Sequence, residues 1–164
     1  MKKITRSVIW LLFAGLIVLL DQVSKSWITS QLILGEVRVY TSYFNLVLVG
    51  NPGAAFSFLA DAGGWQRWFL ALLSFIVSLV IGVILIRKPQ AKWFNWGLSF
   101  LLGGAIGNLI DRLRFGVVID FLDLHLGDWH WPAFNLADSA ITFGVALLIL
   151  DEIMRARNKH KSSC

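Results

Sequence analysis

Residues 68–110 read WFLALLSFIVSLVIGVILIRKPQAKWFNWGLSFLLGGAIGNLI. Two apolar runs, 68–86 and 94–110, flank the short basic connection Arg87-Lys88-Pro89-Gln90-Ala91-Lys92. Proline cannot donate its backbone nitrogen and clashes with the preceding helical turn, so this connection separates two helices rather than continuing one. A bilayer core of about 30 Å needs roughly 20 mostly apolar residues in helical form. The stretch therefore predicts a helical hairpin that crosses a membrane twice.

Two further runs of the same kind lie outward from it, at about 8–28 and 135–150. With 57% hydrophobic residues in 164, the chain is too apolar for an ordinary water-soluble domain. The expected fold is an all-α integral membrane protein, a single domain over residues 1–164 with four transmembrane helices. Basic Lys2, Lys3 and Arg6 before the first run resemble the start of a secretory leader, but no cleavage pattern follows, so the run is expected to be a retained span. Net charge is +5, yet the basic residues form short clusters between apolar runs rather than one face, which excludes a nucleic-acid reading.

The placement of those clusters sets direction. Lys2, Lys3 and Arg6, then Arg87, Lys88 and Lys92, then Arg155, Arg157, Lys159 and Lys161 fall on one side if both termini are cytoplasmic; Arg38, Arg67, Arg112 and Arg114 fall on the other. The tryptophans agree, since Trp10, Trp93 and Trp96 sit at inner helix ends and Trp27, Trp65, Trp68, Trp129 and Trp131 at outer ones. Outside the membrane, residues about 31–65 alternate in the manner of strands (Glu36-Val37-Arg38-Val39-Tyr40) and predict a small β-structured platform. Residues about 111–134 are expected to form a second external loop.

At a rise of about 1.5 Å per residue, Asp21 lies roughly 22 Å above Arg6 and Asn108 roughly 21 Å above Phe94. Both fall in the outer half, at the level where Asn51, Asp120 and Asp138 also arrive. Polar groups in lipid are costly unless they face an interior or a wet cavity, so this convergence marks a candidate site. Two nearby carboxylates do not both ionise easily, and Asp120 with Asp138 has the chemistry to activate water and protonate a leaving group. From spacing alone, capping and solvated loop roles are the commoner ones for aspartates so placed. Asn51, Asn108, Asn135 and Arg112 offer donors for an extended peptide and a developing oxyanion. Asp21 and Lys25, one helical turn apart, form a neutralising pair or a support for the cavity. Ser139 is expected to be a helix-end hydroxyl, and Gly103, Gly104 and Gly107 to permit close helix packing. His125 and His130 with Asp123 and Asp128 fit no strong zinc spacing, so no metal or other cofactor is expected. The lone Cys164 forms no intrachain disulfide. A small transporter or channel subunit is the rival class, but it needs polar residues through the full depth, and the inner halves of the runs look almost purely apolar.

Four blocks carry a resemblance: DQVSK (21–25), NPGAAFSF (51–58), GNLIDRLRFGVVIDF (107–121) and FNLAD (134–138). In this order, over nearly the whole chain, they resemble bacterial lipoprotein signal peptidase, the type II signal peptidase family. The resemblance implies an intramembrane aspartyl endopeptidase that cuts diacylglyceryl-modified prolipoproteins just before the lipidated cysteine. It implies Asp120 and Asp138 as catalytic residues, Asn51, Asn108, Arg112 and Asn135 as substrate-positioning residues, and Asp21 and Lys25 as supporting ones. Asp111, inside the third block, is expected to pair with Arg112 or another neighbour. The same likeness implies a multi-pass protein of the bacterial inner membrane with its site near the periplasmic face, membrane lipid as a partner, a monomeric state and inhibition by globomycin. Pro52 stands where the family commonly has another residue.

Overall fold

A computed structural model describes residues 2–53, 59, 62–87 and 91–161, with side chains from Ser7 to Lys159 within those ranges. Most of the NPGAAFSF block, the Lys88–Gln90 connection and Cys164 lie outside the described residues, as do the side chains of Lys2, Lys3, Arg6 and Lys161.

Among the described residues, four long helices and four strands follow one another as α1 (Lys2–Gln31), β1 (Val37–Thr41), β2 (Phe44–Asn51), α2 (Gln66–Arg87), α3 (Lys92–Phe115), β3 (Val118–Leu126), β4 (Trp129–His130) and α4 (Leu136–Lys161). Helix α3 is central and packs on the other three. Its glycines make this possible. A Cβ at Gly104 would collide with the carbonyl oxygen of Ala137 on α4, and one at Gly107 would lie 2.5 Å from a carboxylate oxygen of Asp21 on α1. The helix ends at Gly116, whose left-handed φ of 82° turns the chain while its N–H bonds to the Arg112 carbonyl.

Two of the described helices, within 7–31 and 66–87, are long and apolar enough to cross a membrane. Their outward surfaces are apolar, with Leu12, Leu19, Leu72 and Leu79 each more than half exposed, a surface that water does not favour. Helices α3 and α4 are interrupted by polar residues turned inward, among them Asn95, Ser99, Asn108 and Asp111.

The strands form one antiparallel sheet in the order β1-β2-β3-β4. Here the structure departs from the sequence expectation of an external loop at 111–134: residues 118–126 are an inner strand of the platform itself. Val117, Val118 and Ile119 are β-formers, and Asn51 pairs with Val118, Val49 with Asp120 and Asn45 with Asp123. Phe121 packs with Leu48 on Ile28 and Leu32, fixing the sheet to the end of α1.

The end of the helices away from the sheet, expected to be the inner one, also differs from expectation. It carries the apolar cluster of Ala14, Ile81, Leu85, Leu98 and Leu102, with Trp10, Phe13, Trp96 and Phe100 in edge-on contacts beside it. Yet Ser7, Asn95, Ser99 and Asp151 are buried there as well. Ser99 donates to the Asn95 carbonyl at 2.8 Å, Ser7 to the Ile86 carbonyl on α2 at 3.4 Å, and Arg155 pairs with Asp151 at 2.6 Å.

Candidate active site

The polar residues singled out from sequence come from five elements and meet between the outer ends of the helices and the sheet. Asn135 is the hub. It stands just before α4, where its side-chain oxygen accepts the Asp138 N–H at 2.8 Å while an Asp138 carboxylate oxygen accepts the Asn135 N–H at 3.3 Å. This reciprocal pair is a capping box with aspartate in the glutamate position, and it orients the Asp138 carboxylate. The other end of the amide faces β3. Asn135 Nδ2 donates to Asp120 Oδ1 at 2.7 Å, with the Ile119 carbonyl at 3.2 Å and Asn108 Oδ1 at 3.3 Å also in reach.

Asp120 is 2% exposed. Its second oxygen accepts from Asn51 Nδ2 at 3.0 Å, and Asn51 in turn takes the Gly53 N–H on its own oxygen at 2.9 Å. That turn closes around Pro52 using the Asn51 side chain and the Gly53 N–H, so the N–H that proline lacks has no part in it. Burial pushes the Asp120 carboxyl up to about 7, and the charge of Asp138 adds to the shift; hydrogen bonds from Asn51 and Asn135 and the charge of Lys25 oppose it.

Asp138 receives Asn108 Nδ2 at 2.8 Å. Arg112, also buried, donates to the Gly53 carbonyl at 2.9 Å and its own helix at Asn108 O at 3.4 Å, while its Nε has no hydrogen-bond partner among the described residues. The guanidinium is thus held within electrostatic reach of both aspartates, with N–H donors to spare. Beneath them, Lys25 Nζ lies 2.8 Å from both Asp21 and Asp111 and 3.1 Å from Asn108 Oδ1.

The structure thus brings together Asp21, Lys25, Asn51, Asn108, Arg112, Asp120, Asn135 and Asp138. Of the partners expected for Asp111, Arg112 or another neighbour, the structure shows Lys25 and Gln22. Gln22 is the residue that the sequence reading missed. Its signal was its place inside the DQVSK block. Ser139 is a helix-end hydroxyl, donating to the Asn135 carbonyl at 2.9 Å. His125 and His130 belong elsewhere: they are stacked cross-strand neighbours with ring centres 4.9 Å apart, and His130 bonds Asp123 at 2.9 Å.

Chemically, two aspartates share one amide bridge, one of them with a proton affinity set near neutrality, beside a buried guanidinium. That arrangement suits acid–base hydrolysis. Comparison with known proteins agrees. The family model described as Signal peptidase (SPase) II matches residues 13–154. A lipoprotein signal peptidase of Cupriavidus taiwanensis is 54% identical over 156 residues, covering 95% of this chain and 88% of that one. Another, from Paraburkholderia phytofirmans, is 55% identical over 148 residues, covering 90% and 86%. A solved structure described as a bacterial membrane enzyme, obtained by the in meso method at 2.3 Å, superposes with a TM-score of 0.81 at 31% identity, covering 92% of this chain and 90% of that one. On these grounds the chain belongs to the signal peptidase II family, the aspartic proteases that act on lipoprotein precursors.

Proposed function

We propose that Asp120 and Asp138 are the catalytic pair of this aspartic endopeptidase, which removes the signal peptide from prolipoproteins. The observation that carries the assignment is the Asn135 side chain, whose Nδ2 grips the Asp120 carboxylate while its Oδ1 caps α4 at the Asp138 N–H. One member of the pair is ionised and takes a proton from water as the water oxygen attacks the scissile carbonyl carbon. The protonated member gives its proton to the carbonyl oxygen. As the tetrahedral intermediate collapses, the proton taken from water passes to the departing nitrogen, and a hydroxyl of the intermediate returns its proton to the aspartate that had given one up. Arg112, Asn51, Asn108 and Asn135 hold the peptide and its developing oxyanion; Asp21 and Lys25 support them from below.

The substrate we propose is a precursor whose cysteine already carries diacylglycerol, cut just before that cysteine. Its acyl chains stay in lipid while the scissile bond reaches the polar site. The protein is an integral membrane protein. We further propose that it is one membrane domain of four spans: α3 and α4, of 24 and 26 residues, are about 36 and 39 Å long, enough to cross a core of about 30 Å. Both termini face the cytoplasm of a bacterial inner membrane, the sheet and site face the periplasm, the protein acts as a monomer in contact with membrane lipid, and globomycin inhibits it.

Purified protein acting on a diacylglyceryl prolipoprotein in detergent tests this reading. The expected result is a cut on the amino side of the lipidated cysteine that globomycin blocks and chelators leave alone. Chelator-sensitive turnover, or a cut elsewhere, overturns it.

A further inference from the structure

We infer that Asp21, Lys25 and Asp111, with Gln22, form a positioning device that sets the separation of Asp120 and Asp138; this rests on reading those two aspartates as the catalytic pair. Asp21 Oδ1 accepts the backbone N–H of Ala137 at 2.9 Å, and Ala137 is the residue immediately before Asp138. Asp111 Oδ2 accepts the backbone N–H of Ile119 at 3.1 Å, and Ile119 is the residue immediately before Asp120. Each outer carboxylate thus grips the chain one residue short of a catalytic side chain. Lys25 joins the two grips, 2.8 Å from Asp21 Oδ2 and 2.8 Å from Asp111 Oδ2. Gln22 Nε2 braces the same pair, 2.9 Å from Asp111 Oδ1 and 3.2 Å from Asp21 Oδ2, and also reaches the Gly107 carbonyl at 3.2 Å.

The local chemistry explains why these residue types are needed. Ala137 lies in the first turn of α4, where backbone N–H groups have no acceptor within the helix. Lysine is a donor only, so Lys25 fixes the flip of the Asn108 amide: Oδ1 faces the ammonium at 3.1 Å, which leaves Nδ2 for Asp138. One ammonium faces two carboxylates, with Asp21, Asp111 and Lys25 only 0%, 1% and 3% exposed. Buried ion pairs of this kind are poor stabilisers compared with apolar packing. What these contacts do secure is where two backbone segments, from β3 and α4, stand relative to each other. A small displacement of reacting groups lowers the rate of chemistry about 100-fold without touching substrate binding.

The test measures kcat and KM for prolipoprotein cleavage by the full chain in detergent, alongside thermal unfolding. Asp111→Ala and Asp21→Ala are each expected to lower kcat about 100-fold with KM within about threefold of wild type. Asp111→Asn keeps an oxygen for the Ile119 N–H and is expected to recover to within about tenfold of wild type. Lys25→Met shifts the alkaline limb of the pH–rate profile upward, because the charge it removes favours ionised Asp120. Where an alanine variant does not fold, Gln22→Leu replaces it, with an expected kcat loss of about tenfold. A rise in KM at unchanged kcat, equal activity in Asp111→Ala and Asp111→Asn, or full wild-type kcat in Gln22→Leu overturns the inference. Asp120→Asn and Asp138→Asn run in parallel separate the two readings. If they stay active the catalytic pair is wrong; if they are dead while the Asp21 and Asp111 variants keep wild-type kcat, only the positioning role is wrong.

Discussion

Strand β3 carries two aspartates, three residues apart and so on opposite faces of the sheet. Both are nearly excluded from solvent, at 2% for Asp120 and 6% for Asp123. Their chemistry diverges all the same. At Asp120, burial and the charge of Asp138 push the carboxyl up to about 7. At Asp123, burial also works against ionisation, but hydrogen bonds from His130 and Asn45, the latter at 2.7 Å, and the charge of the imidazoles outweigh it and hold the carboxyl below its usual range. Asp120 too has two amide donors, from Asn51 and Asn135. Hydrogen bonding alone therefore does not separate the two residues. What does is the deeper setting of Asp120, with a second carboxylate adding to its effect, against the histidine facing Asp123: the first can hold and release a proton near neutrality, the second stays an anion.

The sharpest way to break this contrast is Asn135→Ala. It removes the bridge between Asp120 and Asp138 together with the helix cap, and turnover is expected to fall about 100-fold. The loss of the cap costs about 1 kcal/mol of stability, read from chemical unfolding. Unchanged turnover would mean that the amide does not organise the pair. Next comes the pH–rate profile of Asn51→Ala. The Asn51 hydrogen bond favours the charged form of Asp120, so its removal makes the carboxyl hold its proton more tightly, and the alkaline limb moves to higher pH. A limb that stays in place, or moves down, would show that Asp120 does not govern it.

Stability against pH distinguishes the two faces without any assay. The folded form of Asp120 binds its proton more tightly than the unfolded chain does. Its contribution is therefore fully present below the ordinary carboxylate range and is lost as pH rises toward about 7. Asp120→Asn removes that decline and should gain relative stability between about pH 4 and 7, on the order of a few kcal/mol. Asp123 has the opposite sign: its contribution is present above the ordinary carboxylate range and disappears as pH falls through its lowered value. Asp123→Asn should lose stability at neutral pH, by a smaller amount, and match wild type in acid. Denaturant titrations at a series of pH values read both signs.

Much of this site was legible in the residues before any coordinates. Asp21, Asn108 and Asp138 stand near helix ends whose depth follows from counting helical rise, and the four sequence blocks carry the resemblance that connected them. The segment at 118–126 was not legible as a strand of the same sheet as 44–51. The partners are some 70 residues apart, and no local pattern encodes which strand pairs with which. For the same reason the partner of Asp111 stays open in the sequence between Arg112 and another neighbour. Arg112 is adjacent in sequence, but successive helical residues point about 100° apart, and Lys25 on α1 lies on the face that Asp111 shares. The buried polar residues of the inner end were also hidden, since Asn95 and Ser99 sit in an otherwise apolar run and only packing shows that they turn inward.

We propose that catalysis belongs to the face of β3 that meets Asp138. It is tested most directly by one matched comparison, the prolipoprotein cleavage rate of Asp120→Asn beside that of Asp123→Asn, with helical content checked for both. Asp120→Asn should fall by about 10³-fold or more while Asp123→Asn stays within about threefold of wild type. Robust cleavage by Asp120→Asn in a folded protein, or an equal collapse of both variants, would contradict the account.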